Sequence, residues 1–247
     1  MVKYVSKRGD TLIEVMLAVG IFSMVAIAVV AVMSGGTSSA QTALETTLAR
    51  EEIDAQAEAL RFIQASYIAE NEGGDGTFAK LWRSITETTG STAEVNVISS
   101  DTDIQSIASY KPTDCSALYD SDGEASKYGF VINTRALGTD PSSAVISVKD
   151  NAEKSLFKQA ATYPRLVYDG DYTSSLVETN FQRNLRGVEG IYVLAVKDPK
   201  TTHITEKGKT SAYYDFYIRT CWYGTGDKIP STISTVIRLY DPGITKE

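Results

Sequence analysis

Thr11 to Met33 reads TLIEVMLAVGIFSMVAIAVVAVM, with Glu14 as its only charge. From Val15 onward nineteen consecutive residues are uncharged, and only Gly20 and Ser23 interrupt the aliphatic, aromatic and Met side chains. A helix rising about 1.5 Å per residue needs about 20 such residues to cross the roughly 30 Å hydrocarbon layer. A secretory signal has a shorter apolar core, about 7–15 residues, with a small-residue cleavage pattern behind it. Here the run is longer, and the chain continues SGGTSSAQTALETTL without such a pattern. Lys3, Lys7 and Arg8 precede the run, and no acid lies among the first nine residues. The positive-inside rule therefore sets the amino end in the cytoplasm and residues beyond about 34 outside.

Charge on the rest of the chain agrees with a thread through a membrane. The 247 residues carry 24 Lys and Arg against 31 Asp and Glu, a net −7. Without the three cations of the amino-terminal stub the balance is 21 against 31, or −10. A body this acidic excludes a general cationic surface for nucleic acid. Composition, 43% hydrophobic and 22% charged, excludes collagen-like, mucin-like and wholly disordered chains.

Glu14 does not fit a plain anchor. A carboxylate at the centre of a membrane helix costs about 2.5–3.5 kcal/mol on insertion scales, and an intramembrane acid calls for a partner. No basic residue occurs between Arg8 and Arg50. The partner must come from another chain, or from a charge created by cutting this one.

The segment Lys7-Arg8-Gly9-Asp10-Thr11-Leu12-Ile13-Glu14-Val15-Met16-Leu17-Ala18 resembles the class III signal of type IV pilins and type II secretion pseudopilins. That resemblance implies a prepilin peptidase cutting between Gly9 and Asp10, methylation of the new amino terminus at Asp10, and retention of the apolar helix. Glu14 becomes the fifth mature residue, which in the family pairs with the terminal amine of a neighbouring subunit during assembly. The physics agrees, because an ammonium or a carboxylate left unpaired in a low-dielectric bundle is expensive. One departure stands out: the family usually has an aromatic at the first mature position, most often Phe, and this chain has Asp10. Its carboxylate can pair with its own new amine and weaken the pairing of Glu14. The tripeptide Arg8-Gly9-Asp10, read elsewhere as an integrin ligand, lies here at the cytoplasmic end of the helix across the expected cut, and is set aside.

Beyond Ser34-Gly35-Gly36-Thr37, a low-propensity stretch expected to be a weak point of the helix, Ala40 to about Glu70 is rich in Ala, Leu, Glu and Gln. Leu44, Leu48, Ile53, Ala57, Leu60, Ile63 and Tyr67 recur mostly every three or four residues and predict an amphipathic helix with one core-facing stripe. Asn71 to Gly76 (NEGGDG) ends it, and a short helix over Phe78 to Thr88 is expected to turn Trp82 and Ile85 inward. Strand signals cover 128–135, 144–148, 190–196, 213–223 and 232–240, and the last three follow one another as an antiparallel meander. Residues 213–219 (YYDFYIR) place aromatics on both faces, one toward the helix and the other toward loops. Residues 99–127 and 149–185 read as polar excursions. The expected fold is α+β: a leader over 1–9, a transmembrane or filament-core helix over 10–34, its amphipathic extension over 35–70, and an extracellular head over 71–247 with a carboxy-terminal antiparallel sheet. The resemblance implies the same pilin-like architecture.

Chemistry has little purchase on this chain. His203 is the only histidine, which removes His-based triads and His-rich zinc sites. No Walker A, GxGxxG, HExxH or GxSxG pattern occurs, so no enzymatic activity and no cofactor are expected. Asp120-Ser121-Asp122-Gly123-Glu124 spaces Asp120, Asp122 and Glu124 like the start of a calcium loop, but lacks the twelve-residue frame and its closing Glu. It reads as a solvated turn first and a calcium candidate second. Cys115 and Cys221 lie on the exported side, where compartment and parity favour a bridge over two unpaired thiols. Such a bridge closes a loop of about 100 residues, worth up to about 4–5 kcal/mol in the chain-entropy model.

Two functions from different classes stay open at this point. The resemblance implies a structural subunit of a type IV pilus or pilus-like filament, with other pilin subunits, the prepilin peptidase and an inner-membrane assembly platform as partners. Such a chain starts as a single-pass membrane protein with an extracellular head and ends in a cell-surface or periplasm-spanning filament. The head is larger than in most major pilins, which favours a minor subunit. The alternative is a membrane-anchored extracellular adhesin, sensor or binding domain that does not polymerise.

Overall fold

The computed structural model describes residues 10–70, 76–87, 95–109, 127–147, 190–197, 203–204, 210–222 and 229–242. The chain forms two compact units, Met1–Thr46 and Thr47–Glu247. Helix α1 (Asp10–Ala69, 60 residues) carries the apolar run and continues into the second unit.

In the first unit α1 is helical without interruption, including Gly35 and Gly36. Gly35 and Gly36, the low-propensity pair, thus lie inside a continuous helix. Two glycines cost about 2 kcal/mol relative to Ala, but breaking the ladder there would forfeit the hydrogen bonds across it and require a second, unfavourable nucleation. The hydroxyls that follow turn back on the helix: Thr37 Oγ1 donates to the Met33 carbonyl at 2.9 Å and Thr42 Oγ1 to that of Ser38 at 3.1 Å. A Cβ built on Gly20, Gly35 or Gly36 meets nothing within 4 Å, so no close approach requires glycine at these positions.

The second unit is α+β. After α1 come α2 (Thr77–Thr86), α3 (Asp101–Ser109), β1 (Phe130–Ile132), α4 (Thr134–Leu137), β2 (Val145–Ser147), β3 (Gly190–Lys197), β4 (His203–Ile204), β5 (Thr210–Trp222) and β6 (Ser231–Asp241). Among the described residues these strands pair antiparallel, in the order β2-β1-β3-β5 with β6 and the short β4 also on β5, and Ile98 adds one parallel bridge to Val196 of β3. β3, β5 and β6 form the expected meander. The segment 128–135 is only partly strand, because Asn133 accepts from the backbone N–H groups of Arg135 and Ala136 and so starts the single turn of α4.

Register explains the aromatics on both faces of β5. Tyr214, Phe216 and Ile218 sit opposite Leu239, Ile237 and Thr235 of β6, and Phe216 and Ile218 opposite Ala195 and Val193 of β3. These side chains form the face toward α1 and α2: the Trp82 ring centroid lies 6.0 Å from Phe216 and 6.1 Å from Tyr214, and Trp82 and Ile85 are buried as expected. Tyr213, Asp215, Tyr217 and Arg219 alternate onto the other face, beside buried Tyr192, Leu194 and Val196. The Arg219 guanidinium donates to the Ile107 carbonyl at 2.6 Å and so ties α3 over that face. A helix thus occurs within 99–127, where the sequence suggested only excursions. Thr102, Gln105 and Ser106 are exposed, whereas Ile107 is buried and Ile104 packs against the core.

The apolar stripe of α1 is shorter than expected. Ile53, Ala57, Leu60, Ile63 and Tyr67 are buried, whereas Leu44 and Leu48 are 57% and 42% exposed. Five residues separate Leu48 from Ile53, about 140° around the helix at about 100° per residue, so Leu48 falls off the stripe. Ala49, four before Ile53, takes the buried place instead.

Candidate functional site

The first candidate site is the apolar half of α1. Residues from Leu12 to Met33 are exposed along the whole segment, including Phe22, Met24 and Val32 at about three quarters of their full surface. α1 is the one helix among the described residues that is long and apolar enough to cross a membrane. An all-round apolar exterior is stable only in lipid or against other apolar helices. Glu14 is exposed on this helix and makes no hydrogen bond or ion pair among the described residues. Asp10 is the first described residue of α1. The leader with Gly9, the bridging candidate Cys115, the calcium candidates Asp120, Asp122 and Glu124, and most of both polar excursions lie outside the described residues. Among the described residues no group of three or more His, Cys, Asp or Glu is arranged to hold a metal ion. Cys221 is buried at the end of β5, opposite Gly190 and Thr232, and no cysteine among the described residues is a free thiol.

The second candidate is the set of polar junctions that hold α1 against the sheet within the second unit. Gln56 lies on the buried face between Ile53 and Leu60. Its Nε2 donates to the Ile132 carbonyl and its Oε1 accepts from the Ile132 N–H, both at 2.9 Å. The side-chain amide thereby imitates a neighbouring strand and satisfies β1 without water. Two turns on, Gln64 Nε2 donates to the Tyr240 carbonyl at 2.9 Å, and Tyr67 Oη donates to Asp241 Oδ1 at 3.1 Å. The other Asp241 oxygen accepts from Trp82 Nε1 at 3.1 Å. At the end of α1, Glu70 Oε2 accepts from the backbone N–H groups of Phe78 and Ala79 at 2.9 and 3.0 Å, capping α2. Gly76 makes room for that carboxylate, since a Cβ there would clash with Glu70 Oε2.

Electrostatics follow from this packing. Burial, followed by the charge of Asp241, pushes the Tyr214 phenol far above its ordinary value. Burial and Asp103 raise Tyr128, while hydrogen bonds from Ser142 and Ser143 hold Asp140 below the usual carboxylate range. On the opposite face of β5 and β6, Asp215 and Arg238 form a two-pronged ion pair at 2.6 and 2.7 Å. Sequence reading missed Gln56, Gln64, Glu70 and Asp241. For Gln56 a signal existed: a polar residue three after Ile53 and four before Leu60 sits on the apolar stripe itself.

No protein-family model, curated protein or solved structure matches this chain.

Proposed function

We propose that this chain is a structural subunit of a type IV pilus or pilus-like filament, a minor one, cut after Gly9 and assembled through the apolar half of α1. The observation that carries the reading is one contiguous stretch. A basic stub, Gly9, an acid at the fifth position of the product and an uncharged run coincide in residues 7–33, on a helix exposed along its apolar length. Such a surface is satisfied in lipid before assembly and among like helices after it. Glu14 is the one group there that prefers a helical bundle supplying a cation, and the amine released at Asp10 is such a cation. The head adds no chemistry of its own to the assembly and relies on a separate motor. A bridge between Cys115 and Cys221 belongs to the same reading, because the head is exported to an oxidising compartment.

Cutting tests the proposal directly. Co-expression with a prepilin peptidase is expected to remove nine residues from the intact mass and add a methyl group. An intact amino terminus would favour the non-polymerising surface domain. Counting this subunit against the bulk one in purified filaments tests the minor role.

A further inference from the structure

Two neighbouring residues at the end of β6 hold two helices. Asp241 accepts from Tyr67 of α1 and Trp82 of α2, one on each carboxylate oxygen, while the Tyr240 carbonyl accepts from Gln64 of α1. The donors lie 174, 159 and 176 residues away in sequence. Tyr67 and Trp82 are buried and stacked, with ring centroids 5.7 Å apart and planes 16° from parallel. Trp82 also meets Tyr214 and Phe216 edge-on or tilted. α2 is therefore positioned by two carboxylates, Glu70 at its amino end and Asp241 at its middle. The centre of the sheet has no such dependence: β3 and β5 stay in register from Gly190–Cys221 to Lys197–Tyr214, through residues buried on both faces.

We propose that Asp241 is a latch. It keeps the last two turns of α1 and the helix α2 docked on the sheet, and this corner opens as a local unit while β3 and β5 remain closed. Removing the carboxylate takes the acceptor from the Trp82 indole N–H and one acceptor contact from the Tyr67 phenol. A buried donor that loses its acceptor is costly, whereas the apolar contacts of the corner are unchanged. Local opening is governed by such small differences in protection between neighbouring elements. When the latch releases, Gln64 to Ala69 leave the end of β6, and Tyr67, Trp82 and Tyr214 form a newly accessible aromatic surface. The inference stands whether or not the chain polymerises.

Hydrogen exchange read by mass spectrometry, on the full chain in detergent micelles, tests it. In Asp241→Ala, amides of residues 63–69 and 78–86 are expected to exchange about tenfold or more faster than in the wild type, with 191–195 and 214–220 within about twofold. Asp241→Asn keeps one acceptor oxygen but turns an NH2 toward the other donor, and is expected to fall between. Arg238→Ala, on the same strand but the opposite face, is expected to leave the corner unchanged. An equal rise across all segments, no rise at all, or the same rise in Arg238→Ala would overturn the latch. Should Asp241→Ala lose its near-ultraviolet dichroism, Asp241→Asn and Trp82→Phe carry the test. Each removes one arm, and the same confined rise supports the latch while a uniform or absent one defeats it.

Discussion

Replacing Gln56 by Glu exchanges one nitrogen for one oxygen at a site only 6% exposed, and the geometry predicts an unusual pH dependence. In the wild type the amide donates to the Ile132 carbonyl and accepts from its N–H, both at 2.9 Å. An ionised Glu keeps the accepting half and loses the donating half, leaving an oxygen against a carbonyl. A neutral Glu restores both, because its O–H donates to the Ile132 carbonyl and its C=O accepts the N–H. Burial and the carbonyl therefore both raise the folded pKa of the new carboxyl above its unfolded value of about 4.3. At neutral pH the lost donating bond, with the Ile132 carbonyl left facing an oxygen, is expected to cost about 1–3 kcal/mol. The sign follows from linkage: the stability is fully present below about 4.3 and is lost as pH rises through the folded pKa. Gln56→Leu, which removes both bonds, is expected to cost about 2–5 kcal/mol at every pH.

Urea unfolding of the full chain in detergent, followed by tryptophan fluorescence at pH 4 and pH 7.5, separates these outcomes, since Trp82 and Trp222 are both buried in the second unit. The difference between wild type and Gln56→Glu should shrink toward zero at the lower pH, while that for Gln56→Leu should not. Parallel pH profiles for wild type and Gln56→Glu, or a Gln56→Leu cost below about 0.5 kcal/mol, would show that the amide pair does not hold β1 to α1.

Tyr214, raised by burial and then by Asp241, should make the wild type lose stability as pH climbs above about 10, the unfolded phenol value, and Tyr214→Phe should flatten that loss in urea midpoints at pH 9 and pH 11. Glu14→Ala combined with Asp10→Phe removes both acids while restoring the usual first residue of the resembled family. It should insert and be cut but enter filaments poorly, and wild-type incorporation would rule out charge pairing as the assembly step. Alkylating the exported protein without reduction should add no mass at Cys115 or Cys221, and labelling of both thiols would refute the bridge.

Much of the fold was legible because its determinants are local. The uncharged run after Glu14, the three- and four-residue spacing from Ile53 to Tyr67 and the β-branched, aromatic segments of β3, β5 and β6 each declare one element through periodicity alone. Errors arose where local signals competed. Asn133 served as a cap inside what looked like a strand. Leu48 looked like part of the stripe until its angle to Ile53 was considered. The short α3 was hidden because its nine residues DTDIQSIAS contain too few apolar positions to set a period.

The polar junctions were illegible for a different reason: their partners are set by topology. Asp241 stands immediately before Pro242-Gly243, where an acid reads as the first residue of a turn. Nothing near it predicts a phenol and an indole arriving from the other end of the chain. Glu70 precedes a glycine-rich stretch and reads as the frayed end of a helix, although it caps the next one. Gln56 alone carried a local warning, because a polar side chain placed on an apolar stripe must find partners or destabilise it. The same reasoning applies to Glu14, with the opposite outcome. It too is a polar residue on an apolar helix, yet it makes no bond or ion pair among the described residues. Gln56 finds its partner among the described residues and Glu14 does not, and under the proposed assembly the partner of Glu14 is the amine released at Asp10 of a second subunit.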